Sequence, residues 1–344
     1  MGLKISDLQF EYPENLIGLE PQRPSRVMWV EAQPQEISVQ ELLQKIPAGD
    51  VLVVNNTKVL KRRIFARAGE VELEILFLSQ KSATEWEVLF PSKKIAVGEE
   101  ILLPKNIRMQ LIKKGRPQVI ATSEILTEEY FNEVAELPLP PYIQKSRGQR
   151  HTQSADNDWY QTAWAKAAGS LAAPTASLHF TQRDLTTLKS RGVKVIELTL
   201  HVGLGTFLPV TSENLDEHLM HEELVEIPAE TWQAILQAQE TSRGIWAMGT
   251  TVARALESAA LGLLPQNQKG DLHGLTRLLI QPGFRWQVVT GLLTNFHQPE
   301  STLLALVAGF SSLNQVKQCY AWAIEKKFRL FSYGDLTAWV RKNE

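Results

Sequence analysis

Residues 199–210 read TLHVGLGTFLPV, a short apolar run that delivers one imidazole, His201, into a turn with glycines at 203 and 205. Glycine carries no Cβ, so Gly203 and Gly205 can bring main chain close to a ligand where any other residue would collide. A dinucleotide loop of the G-x-G-x-x-G kind is excluded, because Leu208 stands at the third glycine position and Pro209 follows it. Two readings stay open here: a ligand-contacting turn, or a tight strand exit carrying a half-buried histidine. A second motif, MGTTVAR, combines a turn at Gly249, helix-capping candidates in Thr250 and Thr251, and a cation at Arg254. Free N–H groups at a helix start beside a guanidinium suit a carboxylate or phosphate. The alternative is plain threonine capping with Arg254 paired to an acid. In TNFHQPES, Asn295 and His297 precede Pro299, which forces an extended, rigid exit. His218 and His221, followed by Glu222 and Glu223, lack the third ligand and the spacing of a metal site, so no metal is expected.

These motifs need a scaffold, and the pattern of elements supplies one. Residues 1–57 read as short strands and one helix, with Ser38 and Glu41 forming a capping box ahead of the buried strand in GDVLVVNNT. From about residue 62 the period changes to strand alternation, with Val71, Leu73, Ile75 and Phe77 on one face and Trp86, Val88 and Phe90 on another. Many short strands with regular turns argue for a small antiparallel barrel. LPLPPYI then makes a proline-stiffened exit, and QKSRGQRHTQSADND, with no apolar period, reads as a mobile loop. After it αβ alternation returns. Thr181 and Asp184 cap a helix that ends near Gly192, VKVIELTLHV is a strand, and helix, strand and helix follow through GIWAMG and TTVARALESAA. LTRLLI and WQVVTGLLT read as further strands. The fold class is α/β: a discontinuous α/β domain, residues 1–58 and 145–344, with an inserted antiparallel β-barrel domain at 59–144. Ligands of open α/β sheets bind outside the carboxyl ends of strands, so the polar exits NNT (55–57), LHVGLGTF, MGTTVAR and LLTNFHQPEST point to one shared site.

Composition narrows the setting. The 344 residues suggest about two domains at the usual ~100–200 residues each. One cysteine, Cys319, excludes an internal disulfide and a cysteine-rich zinc site and fits a reducing cytoplasm. The start lacks a signal or transit pattern, and no apolar run approaches the ~18 residues of a membrane span, so a cytoplasmic protein is expected. Between Lys58 and Arg116 thirteen Lys and Arg face seven Glu and no Asp, although the whole chain carries a net −2. A run such as Lys61-Arg62-Arg63 is either a solvated surface or a patch facing a polyanion, of which nucleic acid is the prime case.

Ten ordered blocks, among them GDVLVVNNTKV, PLPPYI, YQTAWA, AAPTASLHFT, TLHVGLGTFLPV, HLMHEE, MGTTVARALESA and LLTNFHQPESTLL, resemble the S-adenosylmethionine:tRNA ribosyltransferase-isomerases of queuosine biosynthesis nearly end to end. The resemblance implies an α/β domain interrupted by a small barrel, and transfer of the ribosyl unit of S-adenosylmethionine to 7-aminomethyl-7-deazaguanine at a tRNA wobble position. Epoxyqueuosine forms, and adenine and methionine leave. It further implies S-adenosylmethionine as co-substrate with no prosthetic group or metal, tRNA as partner with the barrel as a possible contact, no membrane, and a monomer. The chemistry asks for a general base near the acidified ribose C5′ and for donors that help adenine depart. His201, His297 and His179 are the implied acid–base candidates. Arg254 would hold the methionine carboxylate or a phosphate, and Asn55, Asn56, Thr57, Tyr160, Gly203, Gly205, Thr250 and Asn295 would contact or orient substrates. A non-catalytic tRNA-binding paralogue would have lost these His and Asn residues, which are present; a metal-dependent hydrolase on His201, His218 and His221 would carry a metal. Three positions depart from the usual family pattern: Lys58 for Arg, Ser177 for Gly and Gln281 for Tyr.

Overall fold

The structure, a computed structural model, describes residues 3–203, 205, 210 and 212–341. Leu208 and Pro209, used above to exclude a dinucleotide loop, lie outside the described residues. The chain builds two layered bodies. In the larger, nine strands form one sheet in the order Leu272–Thr276, Glu223–Ile227, Lys194–His201, Val51–Asn55, Ile245–Met248, Gly291–Asn295, Leu336–Val340, Arg26–Val30, Pro34–Ser38. The four strands from Lys194–His201 to Gly291–Asn295 run parallel. Every residue of Val51–Asn55, Ile245–Met248 and Gly291–Asn295 is buried, the continuous pattern of strands covered on both faces. One face packs against the helices Ala229–Glu240, Thr250–Ala260, Thr302–Phe310 and Leu313–Glu325, the other against Val39–Lys45 and Gln182–Ser190. Both expected capping boxes form: Ser38 Oγ accepts from Glu41 N at 3.1 Å, and Thr181 Oγ1 from Asp184 N at 3.3 Å.

The smaller body is a closed antiparallel barrel in the order Gln118–Thr122, Glu85–Leu89, Val71–Gln80, Arg63–Ala68, Glu100–Leu102, Arg108–Lys113. Leu73, Ile75, Phe77, Trp86 and Val88 fill it as the alternation predicts, and the helix Glu128–Val134 closes it with Phe131. Val71 instead is exposed, at the hairpin where the strand begins. The barrel leaves the α/β body at Thr57–Val59, which pairs in parallel with Ala167–Ser170 where the chain returns.

Four expectations are overturned, each by a polar group that periodicity does not register. The stretch 144–158 is not a mobile loop. Arg147, at the end of the helix Pro141–Arg147, grips the fully buried Asp156 with Nη1 and Nη2, at 2.7 and 3.0 Å, while Gln153 N also donates to that carboxylate. Residues 286–289 do not join the strand that follows, because the N–H groups of Gln287, Val288 and Val289 all donate to the buried carboxylate of Glu257 at 2.7–3.0 Å. Nor does Leu272–Thr276 continue through 277–280: Arg254 Nε takes the carbonyl of Leu278 and Thr276 Oγ1 its N–H. Finally, Arg62 and Arg63 are not surface cations. They are 5% and 2% exposed; Arg62 pairs with Glu128 and stacks on Phe131, and Arg63 pairs with Glu136 at 2.8 Å.

Arg63→Ala takes a buried guanidinium from Glu136, which is 23% exposed and keeps Thr152 and His151 as partners, so it should cost about 1.5–3 kcal/mol in urea unfolding, as for loss of a hydrogen bond to a charged group. Arg116→Ala, on an exposed turn of the same barrel, should stay within about 0.5 kcal/mol of wild type. Equal effects at the two positions would remove Arg63 from the barrel's support.

Candidate functional site

The polar exits NNT, LHVGLGTF, MGTTVAR and LLTNFHQPEST all begin at the carboxyl ends of the four parallel strands, which lie side by side. A cavity of 440 Å³ opens there, its wall formed by 172–176, 249–251 with Arg254, the exit loop and helix start 294–303, and part of 218–223. Gly249 makes the turn from strand to helix at φ +100. It is itself the N-cap, and neither Thr250 nor Thr251 caps the helix, so the first-turn N–H groups beside the cavity carry no side-chain acceptor among the described residues. Arg254, one turn in, is 5% exposed and pairs with the buried Glu223, and its Nε is bonded to Leu278 O. The acid partner weighed as the alternative is therefore present. Yet Arg254 Nη2 is buried in this wall with no partner among the described residues, and a guanidinium donor without an acceptor is a place for an anion's oxygen.

The three candidate histidines separate. Only His297 stands in the cavity wall. Its Nε2 lies 2.9 Å from Thr294 Oγ1, and its main chain is fixed by Tyr320 Oη at 3.0 Å. Burial alone lowers its pKa to about 3, so the ring is neutral. In the tautomer that donates Nε2–H to Thr294, the Nδ1 lone pair is unengaged by the described residues. His201 faces the other way. Side chains alternate along a strand, so Val202 reaches the cavity while His201 packs beneath it, where its Nδ1 meets Thr57 Oγ1 at 2.7 Å. A Cβ on Gly169 would lie 2.7 Å from that ring, so glycine is required there. Burial depresses the His201 pKa, with Glu226 opposing. His179 is buried behind the wall, between Ser25 Oγ at 2.7 Å and Asn295 Nδ2 at 3.0 Å; burial, then Arg329 and Arg23, lowers its pKa to about 3.

Of the other candidates, Thr250, Asn295, Tyr160 and Gly205 form part of the wall. Burial raises the Tyr160 phenol well above its usual range. Asn55 is fully buried and ties adjacent strands, donating to Leu200 O at 2.9 Å and accepting from Leu200 N at 3.1 Å. Asn56 bonds Thr199 and Glu197. Thr57, Asn56 and Asn55 therefore hold the strand exits rather than the cavity, and Gly203 lies outside the wall too. Glu223, His218, His221 and Tyr142, to which sequence reasoning gave no substrate role, are in it; HLMHEE was the available signal for the first three. Lys58, Ser177 and Gln281 all stand outside it. Among the described residues no group of three His, Cys, Asp or Glu is placed to hold a metal ion, and no helix is long and apolar enough to cross a membrane.

A family model described as queuosine biosynthesis protein matches residues 5–338. The chain is 37% identical to the S-adenosylmethionine:tRNA ribosyltransferase-isomerase of Halothermothrix orenii, over 97% of this chain and 98% of that one. It is 38% identical to the enzyme of the same name from Carboxydothermus hydrogenoformans, over 97% and 98%. Among solved structures, an S-adenosylmethionine tRNA ribosyltransferase from Thermotoga maritima aligns with TM-score 0.55 and 27% identity, over 97% of this chain and all of that one.

The depressed pKa of His297 fixes the sign of a stability effect. Unfolded histidine takes up a proton below about pH 6.5, while folded His297 resists until about pH 3. Its neutral form is thus compatible with full stability above pH 6.5, and stability falls as pH drops through the window between the two values. His297→Gln should flatten the loss measured by urea unfolding from pH 6 to pH 4.5 by about 1.4 kcal/mol per pH unit. An unchanged slope would mean that the folded protein protonates His297 freely.

Proposed function

The chain belongs to the queuosine biosynthesis protein family, and from that membership we propose that it is an S-adenosylmethionine:tRNA ribosyltransferase-isomerase. The observation that carries the reading is the cavity at the four strand ends, where the buried donor Arg254 Nη2, the open helix start at Gly249 and a neutral His297 share one wall. In the reaction the ribosyl unit of S-adenosylmethionine passes to the aminomethyl nitrogen of 7-aminomethyl-7-deazaguanine, and methionine and adenine leave. Arg254 would take the methionine carboxylate, its charge tempered but not spent by Glu223. A positive sulfonium acidifies the ribose C5′ protons, and the free lone pair of His297 is the acceptor within the cavity; a cationic imidazole could not serve. His201, on the opposite side of its strand, would act through the position of Val202 and the exit turn.

For tRNA, the support comes from the end of the barrel rather than from Arg62 and Arg63. Lys113 stands opposite Val119, Gln118 opposite Val88, and Gln118 Nε2 bonds Phe90 O and Ser92 Oγ. The loops carrying Lys93, Lys94, Lys113, Lys114 and Arg116 therefore meet at one end, and all five side chains are exposed without an ion pair among the described residues. Such a cluster suits a phosphate backbone. We take residues 59–144 as the tRNA-contacting insertion, and the protein as a cytoplasmic monomer on likeness to its family and on its single, buried cysteine.

Incubation with S-adenosylmethionine and tRNA bearing 7-aminomethyl-7-deazaguanine should release adenine and leave epoxyqueuosine on the tRNA; absence of both products at high enzyme concentration would sink the assignment. Arg254→Gln should raise KM for S-adenosylmethionine by roughly 10- to 100-fold, as for loss of a hydrogen bond to a charged group. Replacing Lys113, Lys114 and Arg116 together by alanine should reduce the salt dependence of tRNA binding by up to about one unit of log–log slope for each phosphate no longer neutralised. An unchanged slope returns these loops to ordinary solvated surface.

A further inference from the structure

Asn295 ends one of the parallel strands and is 2% exposed, yet its Oδ1 has no partner among the described residues while its Nδ2 has two close acceptors and a third, Ser332 O, at 3.5 Å. Nδ2 donates to His179 Nε2 at 3.0 Å and to Phe331 O at 3.1 Å, which uses both amide hydrogens. Because Nε2 accepts, the proton of His179 is on Nδ1, and it goes to Ser25 Oγ at 2.7 Å. The Ser25 hydrogen goes in turn to Gln22 O at 3.1 Å. A carbonyl can only accept, so the direction of the whole chain is set at both ends, by Gln22 O and by Phe331 O. Flipping the Asn295 amide would point its oxygen at the Phe331 carbonyl and the Nε2 lone pair, and both bonds would become repulsions. The amide is held one way round, and it leaves Oδ1 a buried, bare acceptor in a residue of the cavity wall.

We propose that Asn295 Oδ1 is a built acceptor for an N–H donor of the co-substrate, with His179 and Ser25 as positioning residues that fix its orientation. A buried acceptor left unbonded is costly, and a ligand that supplies the missing hydrogen recovers that cost on binding. Two groups of S-adenosylmethionine have the required chemistry, the exocyclic amine of adenine and the α-ammonium of the methionine moiety; both present N–H toward an oxygen. His179 is 7% and Ser25 5% exposed, so neither needs to touch the ligand to act. The burial that keeps the imidazole neutral preserves the Nε2 lone pair on which the orientation depends. The proposal rests on the reading of the cavity as an S-adenosylmethionine site.

Titration calorimetry on the purified protein separates the two claims. Wild type should bind S-adenosylmethionine; failure to bind overturns the functional reading itself. With wild-type binding in place, Asn295→Leu and His179→Leu should each weaken affinity by about 10-fold, while His179→Gln, whose amide oxygen can still accept from Asn295, should recover most of it. If His179→Leu does not fold, Ser25→Ala, which takes away the acceptor for Nδ1–H, should weaken binding several-fold in a protein that still unfolds cooperatively. An analogue with hydrogen in place of the adenine 6-amino group and one lacking the α-amino group identify the donor. The analogue without Asn295's partner should bind wild type more weakly but show no further weakening in Asn295→Leu, an identity that a merely structural asparagine would not produce. Full additivity of both analogue effects with Asn295→Leu, or wild-type affinity in that variant, would overturn the proposal.

Discussion

Four parallel strands ending side by side are the constraint from which the rest of the molecule follows. Parallel pairing forces each connection to cross the sheet and return, so every carboxyl end opens into a loop on the same edge. In this chain those loops carry Gly249, Asn295, His297 and the turn after His201, and the cavity is the space between them. Asn55 reinforces the arrangement from inside by bonding both the N–H and the carbonyl of Leu200 across the pair of strands. A polar residue deep in a sheet is tolerable there because its oxygen takes the N–H groups of Leu200 and Thr57 and its amide gives to Leu200 O and Thr251 Oγ1.

Buried charge does the rest of the positioning, and in three places it decides structure that apolar pattern leaves open. Arg147 and Asp156 draw a stretch with no hydrophobic period onto the body of the protein, where Tyr333 and the Leu19 carbonyl complete the cluster. Glu257 collects three consecutive backbone N–H groups and so ends a strand before it begins. Glu223 and Arg254 bring a strand and a helix start together at the cavity. The two ion pairs are dry, so cutting either leaves a buried charge stranded. Arg254 Nη2 and Asn295 Oδ1, both without a partner among the described residues, are one donor and one acceptor in residues of the same wall.

What could be read from the residues alone is uneven for physical reasons. The capping boxes at Ser38 and Thr181 are local, and so are the alternation in 71–77 and 86–90 and the apolar run at 51–54; short-range sterics and burial suffice to announce them. The convergence of four polar exits was legible as well, because α/β alternation dictates where strand ends go. The roles of individual histidines were not. His201, His179 and His297 differ by which side of a strand or wall each side chain occupies, and a displacement of one residue exchanges cavity for core. Likewise Lys61-Arg62-Arg63 reads as surface charge until the register of the barrel turns two of its three side chains inward, to Glu128 and Glu136.

By itself, then, the sequence determined the α/β class, the inserted barrel and the motifs that meet at the strand ends, since these depend on periodicity, turn chemistry and chain order. Only the tertiary structure decided that His297 faces the cavity while His201 lies under it, that Arg254 shares its charge with Glu223, and that Asn295 is held with its oxygen unbonded by the described residues. Those facts depend on partners tens to hundreds of residues away, and a hydrogen bond across such a separation leaves no local trace in the chain that makes it.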